Sequence, residues 1–210
     1  MKKKDIATEV FQRLIKVWPN AYCELKHETP FQLLIATILS AQCTDERVNK
    51  VTPNLFQQYS NAHLMAKAKL KDLEELIKST GFYKNKAKSI LETSKILSKE
   101  FNGEVPPIID ELIKLPGVGR KTANVVLGNS FHINEGIVVD THVKRITKLI
   151  GLTKNTDPLK IEQDLIKYFP KENWTQISHL LIFLGRRVCI ARRPDCKNCY
   201  LNDICESSKV

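Results

Sequence analysis

Leu115-Pro116-Gly117-Val118-Gly119-Arg120-Lys121-Thr122-Ala123 joins two helical segments through a tight turn. Gly117 and Gly119 permit positive φ and close backbone approach, so several N–H groups point outward near a helix N-terminus. Such an arrangement holds a phosphate without reading sequence. A GxG alone occurs in many helix–helix turns; Pro116 before it and the Arg120-Lys121 pair after it give it more weight in a basic chain. Lys121 falls in the first turn of the second helix, where the macrodipole disfavours a cation. It is either a solvated surface residue or an amine whose proton is easily lost, and the second state supplies a neutral nucleophile.

Outward from this hairpin, helical periodicity dominates in both directions. Ile6, Val10, Leu14 and Val17 mark one face of a first helix, which Pro19 ends. Thr29-Pro30-Phe31-Gln32 reads as a capping box with Pro at the first helical position, opening an apolar run to Leu39. Leu70, Leu73, Leu76 and Ile77 stripe a helix stopped by Gly81; Ile90, Leu91, Leu97 and Phe101 stripe the next, stopped by Asn102-Gly103. Further helices are expected over 108–115, 120–128, 141–150, 158–168 and 173–188, with Asp157 and Asn173 as N-caps. Only Ile137-Val138-Val139 reads as β, too short to build a sheet. The expectation is an all-α fold of nine or ten helices.

Lys and Arg number 33 against 23 Asp and Glu, a net charge of +10 that attracts polyanions, nucleic acid above all. A hydrophobic content of 42% excludes a disordered chain. Met1-Lys2-Lys3-Lys4 resembles the start of a signal peptide, but Asp5, Glu9 and Arg13 interrupt any apolar segment. The run Phe31 to Leu39 falls far short of the roughly 20 residues that span a bilayer. No membrane association and a cytoplasmic location follow as expectations.

Cys189, Cys196, Cys199 and Cys205 form C-x6-C-x2-C-x5-C near the C-terminus. Short intervening loops cost little closure entropy, so four thiolates converge readily on one centre. A reducing compartment disfavours disulfides and leaves zinc or an iron–sulfur cluster, which sulfur ligands alone do not distinguish. Cys23 and Cys43 stand apart and read as small buried residues. Arg192 and Arg193 lie between the first two ligands, on a pinned loop suited to phosphate. Asp140 follows the apolar Ile137-Val138-Val139 and precedes a helix, so it reads as an N-cap, a role that does not exclude catalysis. His142 reads as a packing or phosphate-contacting residue rather than a general base.

Leu115 to Lys121, Val139-Asp140-Thr141-His142 and the four-cysteine spacing together resemble the endonuclease III family of helix-hairpin-helix DNA glycosylases. Leu39-Ser40-Ala41-Gln42, Thr44-Asp45 and Gly81-Phe82-Tyr83 match in order, so the resemblance covers nearly the whole chain. It implies a monomeric, nucleoid-associated protein of two helical domains: a barrel-like one over 20–132 bearing the hairpin, and a discontinuous one over 1–19 plus 133–210. The second would carry a 4Fe–4S cluster on the four cysteines. Double-stranded DNA with damaged bases or abasic sites would lie across a cleft between them, gripped by Gly117, Val118, Gly119 and Arg120, with His142 and Arg193 as further contacts. Lys121 would attack C1′ of a flipped nucleotide, with Asp140 stabilising positive charge on the sugar. The implied activity is removal of oxidised pyrimidines followed by strand cleavage 3′ to the abasic site by β-elimination. Gln42 would fill the gap left by the flipped nucleotide, and Phe82 stands where a leucine wedge is common. Two alternatives are a mismatch adenine glycosylase and a non-catalytic zinc-containing DNA-binding module. The first usually lacks the lysine and has a further C-terminal domain, whereas this chain has Lys121 and ends five residues after Cys205; the second has no need of a paired Lys121 and Asp140.

Overall fold

The computed structural model describes residues 2–210, and all regular structure among them is helical. Eleven α-helices run in order: α1 Lys3–Val17, α2 Pro30–Leu39, α3 Asp45–Gln58, α4 Ala62–Met65, α5 Leu70–Ile77, α6 Tyr83–Glu100, α7 Ile109–Leu112, α8 Arg120–Ser130, α9 Thr141–Leu149, α10 Pro158–Leu165 and α11 Trp174–Arg187. Two 3₁₀ turns, Lys78–Thr80 and Lys171–Asn173, extend α5 and precede α11. None of these helices is long and apolar enough to cross a membrane.

Several sequence expectations are corrected at this level. The count exceeds nine or ten because α3 and the single-turn α4 carry weak periodicity. Val48, Thr52 and Leu55 give α3 its buried face, while Pro53 inside it removes a helical N–H and disguises it as a break. The expected helix over 108–115 is a single turn, α7. The box at α2 closes one residue early: Thr29 accepts from the Gln32 N–H at 3.2 Å, but Gln32 Oε1 accepts from the Glu28 N–H at 2.8 Å. Asn173 makes no side-chain cap; Asn134 Oδ1 instead accepts from the Thr175 N–H at 3.1 Å. Asp157 caps α10 as its sequence suggests, at 3.0 Å from the Lys160 N–H. Ile137-Val138-Val139 is buried but forms no strand; the Val138 N–H donates to Ser178 Oγ at 3.0 Å.

The chain divides into two compact units. One spans Cys23–Ile133 and packs around α2, where every residue from Leu33 to Leu39 is buried, against Leu55, Ile77, Ile90, Leu97 and Leu127. The other combines the residues up to Tyr22 with Asn134–Val210, and its core sets Val10 and Leu14 of α1 against Ile146 and Leu180, Leu181 and Leu184. An apolar stripe on each helix, buried against its neighbours, is the main source of stability in both.

Candidate functional site

Within the Cys23–Ile133 unit the hairpin is docked on α6. Thr93 Oγ1 donates to the Pro116 carbonyl at 2.9 Å. Gly117 takes a φ of +79°, and a Cβ there would come within 2.9 Å of Ser89 Cβ, so both handedness and space demand glycine. Gly119 departs from expectation: its φ of −92° is open to any residue, and it stands as the N-cap of α8 without a side-chain bond. A Cβ there would meet nothing within 4 Å, so the approach to the first α8 amides is clear. Val118 is only 5% exposed and its N–H donates to the Leu115 carbonyl at 3.0 Å, so its side chain packs beneath the hairpin. Arg120 and Lys121 are exposed in the first turn of α8, the end of a helix whose dipole attracts an anion.

Two more candidates lie in this unit, both with backbone that L-residues avoid. Gln42 has a φ of 52° and Phe82 a φ of 48°, and both are exposed. Gly81, at 70°, makes a two-residue left-handed arch with Phe82. Only four non-glycine residues among those described have positive φ, so two of the four are positions singled out for entering DNA. Strain of this kind persists where the surroundings enforce it, and it clusters at functional sites.

In the other unit the buried Ile137-Val138-Val139 delivers Asp140 to the N-terminus of α9. Asp140 Oδ1 accepts from the His142 and Val143 N–H groups, each at 2.8 Å, which fixes the carboxylate and leaves Oδ2 outside the cap. His142 is half-buried against α11, where a Cβ on Gly185 would come within 2.7 Å of its Nδ1. Burial, with Arg145 and Arg186 nearby, pushes its pKa down against the pull of Asp140. Arg193 is exposed on the loop after Cys189.

Cys189, Cys196, Cys199 and Cys205 line one cavity of about 250 Å³ in this unit, and none is in a disulfide. Burial pushes the thiols of Cys189, Cys199 and Cys205 up, with Arg145 pulling the other way at Cys189. Among the described residues no three His, Cys, Asp or Glu side chains converge closely enough to hold a single metal ion. Arg145 lines the same cavity, donating through Nη2 to the Gly185 carbonyl at 3.1 Å and the Cys189 carbonyl at 2.5 Å, while its buried Nε has no acceptor among the described residues. The sequence does not mark Arg145, because its partners are backbone carbonyls some forty residues away.

Residues 35–171 match the model of the HhH-GPD superfamily of base excision DNA repair proteins. The endonuclease III of Synechocystis is 54% identical over 208 residues, covering 99% of this chain and 95% of its own. A solved non-covalent endonuclease III–DNA complex superposes with a TM-score of 0.92 at 45% identity, covering 99% of this chain and 96% of that one. An endonuclease III trapped as a covalent intermediate with DNA matches equally well, with a TM-score of 0.92 at 45% identity and coverage of 99% and 97%. Kinship over this length and at this identity leaves one assignment: the chain belongs to the endonuclease III family within the HhH-GPD superfamily of base excision DNA repair proteins.

Proposed function

We propose that Lys121 is the covalent nucleophile of this base-excision DNA glycosylase and abasic-site lyase, and that Asp140 is its carboxylate partner. The substrate is duplex DNA carrying an oxidised pyrimidine. The observation that carries the reading is Lys121, exposed in the first turn of a helix whose N-terminus is open to phosphate beside a hairpin locked on α6. The solved relative trapped in covalent linkage to DNA supports a covalent route.

A stacked base is beyond reach, so the nucleotide is first extruded at a cost of a few kcal/mol, which a damaged base reduces. Gly117, Gly119 and Arg120 hold backbone phosphate, as do Arg193 and the exposed part of His142, while Gln42 and Phe82 occupy the space the nucleotide vacates. Val118 supports the hairpin from below. The neutral Lys121 amine attacks C1′; the glycosidic electron pair leaves with the base, which takes up a proton. Positive charge developing on the sugar is stabilised by Asp140, which also assists loss of the Lys121 proton. The sugar ring opens to an imine between Lys121 and C1′. Loss of a 2′ proton then expels the 3′ phosphate, and water hydrolyses the remaining imine.

The four cysteines would hold a 4Fe–4S cluster. A 250 Å³ cavity whose thiols do not converge on one ion suits a polynuclear group, and the orphaned Arg145 Nε offers a donor to a sulfur acceptor. Its contribution when bound is to cross-link the loop that displays Arg192 and Arg193.

Borohydride reduction during turnover tests the nucleophile. It should give a stable protein–DNA crosslink located on Lys121, and Lys121→Gln should lose both crosslink and strand cleavage while still binding damaged DNA. Efficient trapping by Lys121→Gln would assign the role to another amine.

A further inference from the structure

Lys86 is a lysine where lysines are rarely found, on the first turn of α6 with only 6% of its surface exposed. Its ammonium reaches back over the short arch that precedes α6, whose first helical bond its backbone N–H closes. The Nζ donates to the Thr80 carbonyl at 2.8 Å, and the backbone N–H donates to the Phe82 carbonyl at 3.1 Å. Between these points lie Gly81 and Phe82, both left-handed, with Phe82 65% exposed. Thr80 also ends the 3₁₀ turn that extends α5, where carbonyls point outward and a cation is favoured. Burial disfavours the charged amine here and pushes its pKa down. A desolvated cation of this kind is costly unless hydrogen-bonded, so the Thr80 carbonyl and the ammonium hold each other firmly.

We infer that Lys86 is a positioning residue: its buried amine fastens the Gly81–Phe82 arch so that the Phe82 ring is presented ready-made to the DNA duplex. The inference rests on the reading that Phe82 enters the duplex as a base is extruded. Pre-organisation matters because an arch that flexes spends part of its interaction with DNA on its own ordering. Sequence alone hides this residue, since Lys86 stands among Lys84, Lys88 and other solvated lysines and its acceptor is a main-chain oxygen.

Lys86→Met keeps the unbranched stem and removes the ammonium. Two activities are compared: excision of an oxidised pyrimidine from a duplex, and β-elimination at an abasic site already present in a single strand, which needs no wedge. Duplex excision should fall about tenfold, the scale of one charge-assisted hydrogen bond, while single-strand elimination is unchanged. Combined with Phe82→Ala, Lys86→Met should add little, because its effect runs through the ring. A parallel fall in both activities, or full additivity in the double variant, would overturn the inference and leave Lys86 a plain packing residue. If Lys86→Met does not fold, Lys86→Gln carries the test, since its amide retains a donor: the same selective loss, smaller in size, is expected, and no selectivity overturns the inference. Phe82→Ala separates the two ideas. Full duplex activity in that variant overturns the insertion reading itself, whereas an impaired Phe82→Ala beside an intact Lys86→Met overturns only the role of Lys86.

Discussion

Phe82 carries a large ring outward on left-handed backbone, so it gains little from burial and costs roughly 1 kcal/mol in conformation. Glycine adopts that backbone freely. Phe82→Gly should therefore leave the melting temperature unchanged or higher while slowing excision from a well-paired lesion more than from a mismatched one. A lowered melting temperature with normal excision would make the ring a structural element. Gln42 has the same conformation and exposure, and Gln42→Ala should show the same bias towards mismatched substrates. Asp140 allows a cleaner separation of cap from chemistry. In Asp140→Asn the amide oxygen still accepts from the His142 and Val143 N–H groups, so fold and DNA affinity should survive. Base excision should fall by about 10²–10³, the scale of one lost electrostatic stabiliser. A variant that melts early yet excises normally per folded molecule would reduce Asp140 to a cap.

At the scale of elements, α6 is the platform of its unit: Lys86, Ser89 and Thr93 lie along one side and meet the arch, Gly117 and the Pro116 carbonyl in turn. Gly117→Ala should force the Ser89 contact apart and strain the turn, lowering DNA affinity across all sequences, whereas Gly119→Ala, in open space with ordinary φ, should be well tolerated without DNA. Circular-dichroism melts with filter binding would check both. This contrast also shows what a sequence can carry. Two glycines in one motif look alike, yet only Gly117 is required, by its φ of +79° and by the closeness of Ser89 on another helix. Caps are legible where donor and acceptor are close in sequence, as at Thr29, Asp140 and Asp157. Asn134 reaches α11 across 41 residues and leaves no local signal. The cysteine quartet is legible as spacing, while Arg145 and Lys86 bond main-chain oxygens that any residue could supply. Gln42 and Phe82 are legible only through family resemblance, since nothing in either side chain announces a left-handed backbone.

Across the whole molecule, an excess of ten positive charges makes DNA binding electrostatic and largely sequence-independent, with affinity falling steeply as salt is raised. Removing one arginine that contacts phosphate should lower the log–log salt slope by roughly 0.9, so Arg193→Ala tests whether the cysteine-pinned loop touches DNA. That loop is held by short-range backbone bonds, among them Arg193 N–H to the Ile190 carbonyl and Asp195 N–H to the Val188 carbonyl, by Arg145 on the Cys189 carbonyl, and by the Arg13–Asp203 ion pair further along. The 4Fe–4S cluster proposed for the four cysteines would add a further cross-link. Anaerobically isolated protein should be yellow-brown, with iron and acid-labile sulfide at about four each per chain, as a 4Fe–4S cluster requires. Stripping the iron should loosen the loop and reduce the salt slope of wild type to that of Arg193→Ala, because the arginine is no longer held against phosphate. Stoichiometric zinc without iron would overturn the cluster assignment. A stripped protein that keeps its full slope would show that the loop holds its shape without the metal, and the structural role given to the cluster would fall.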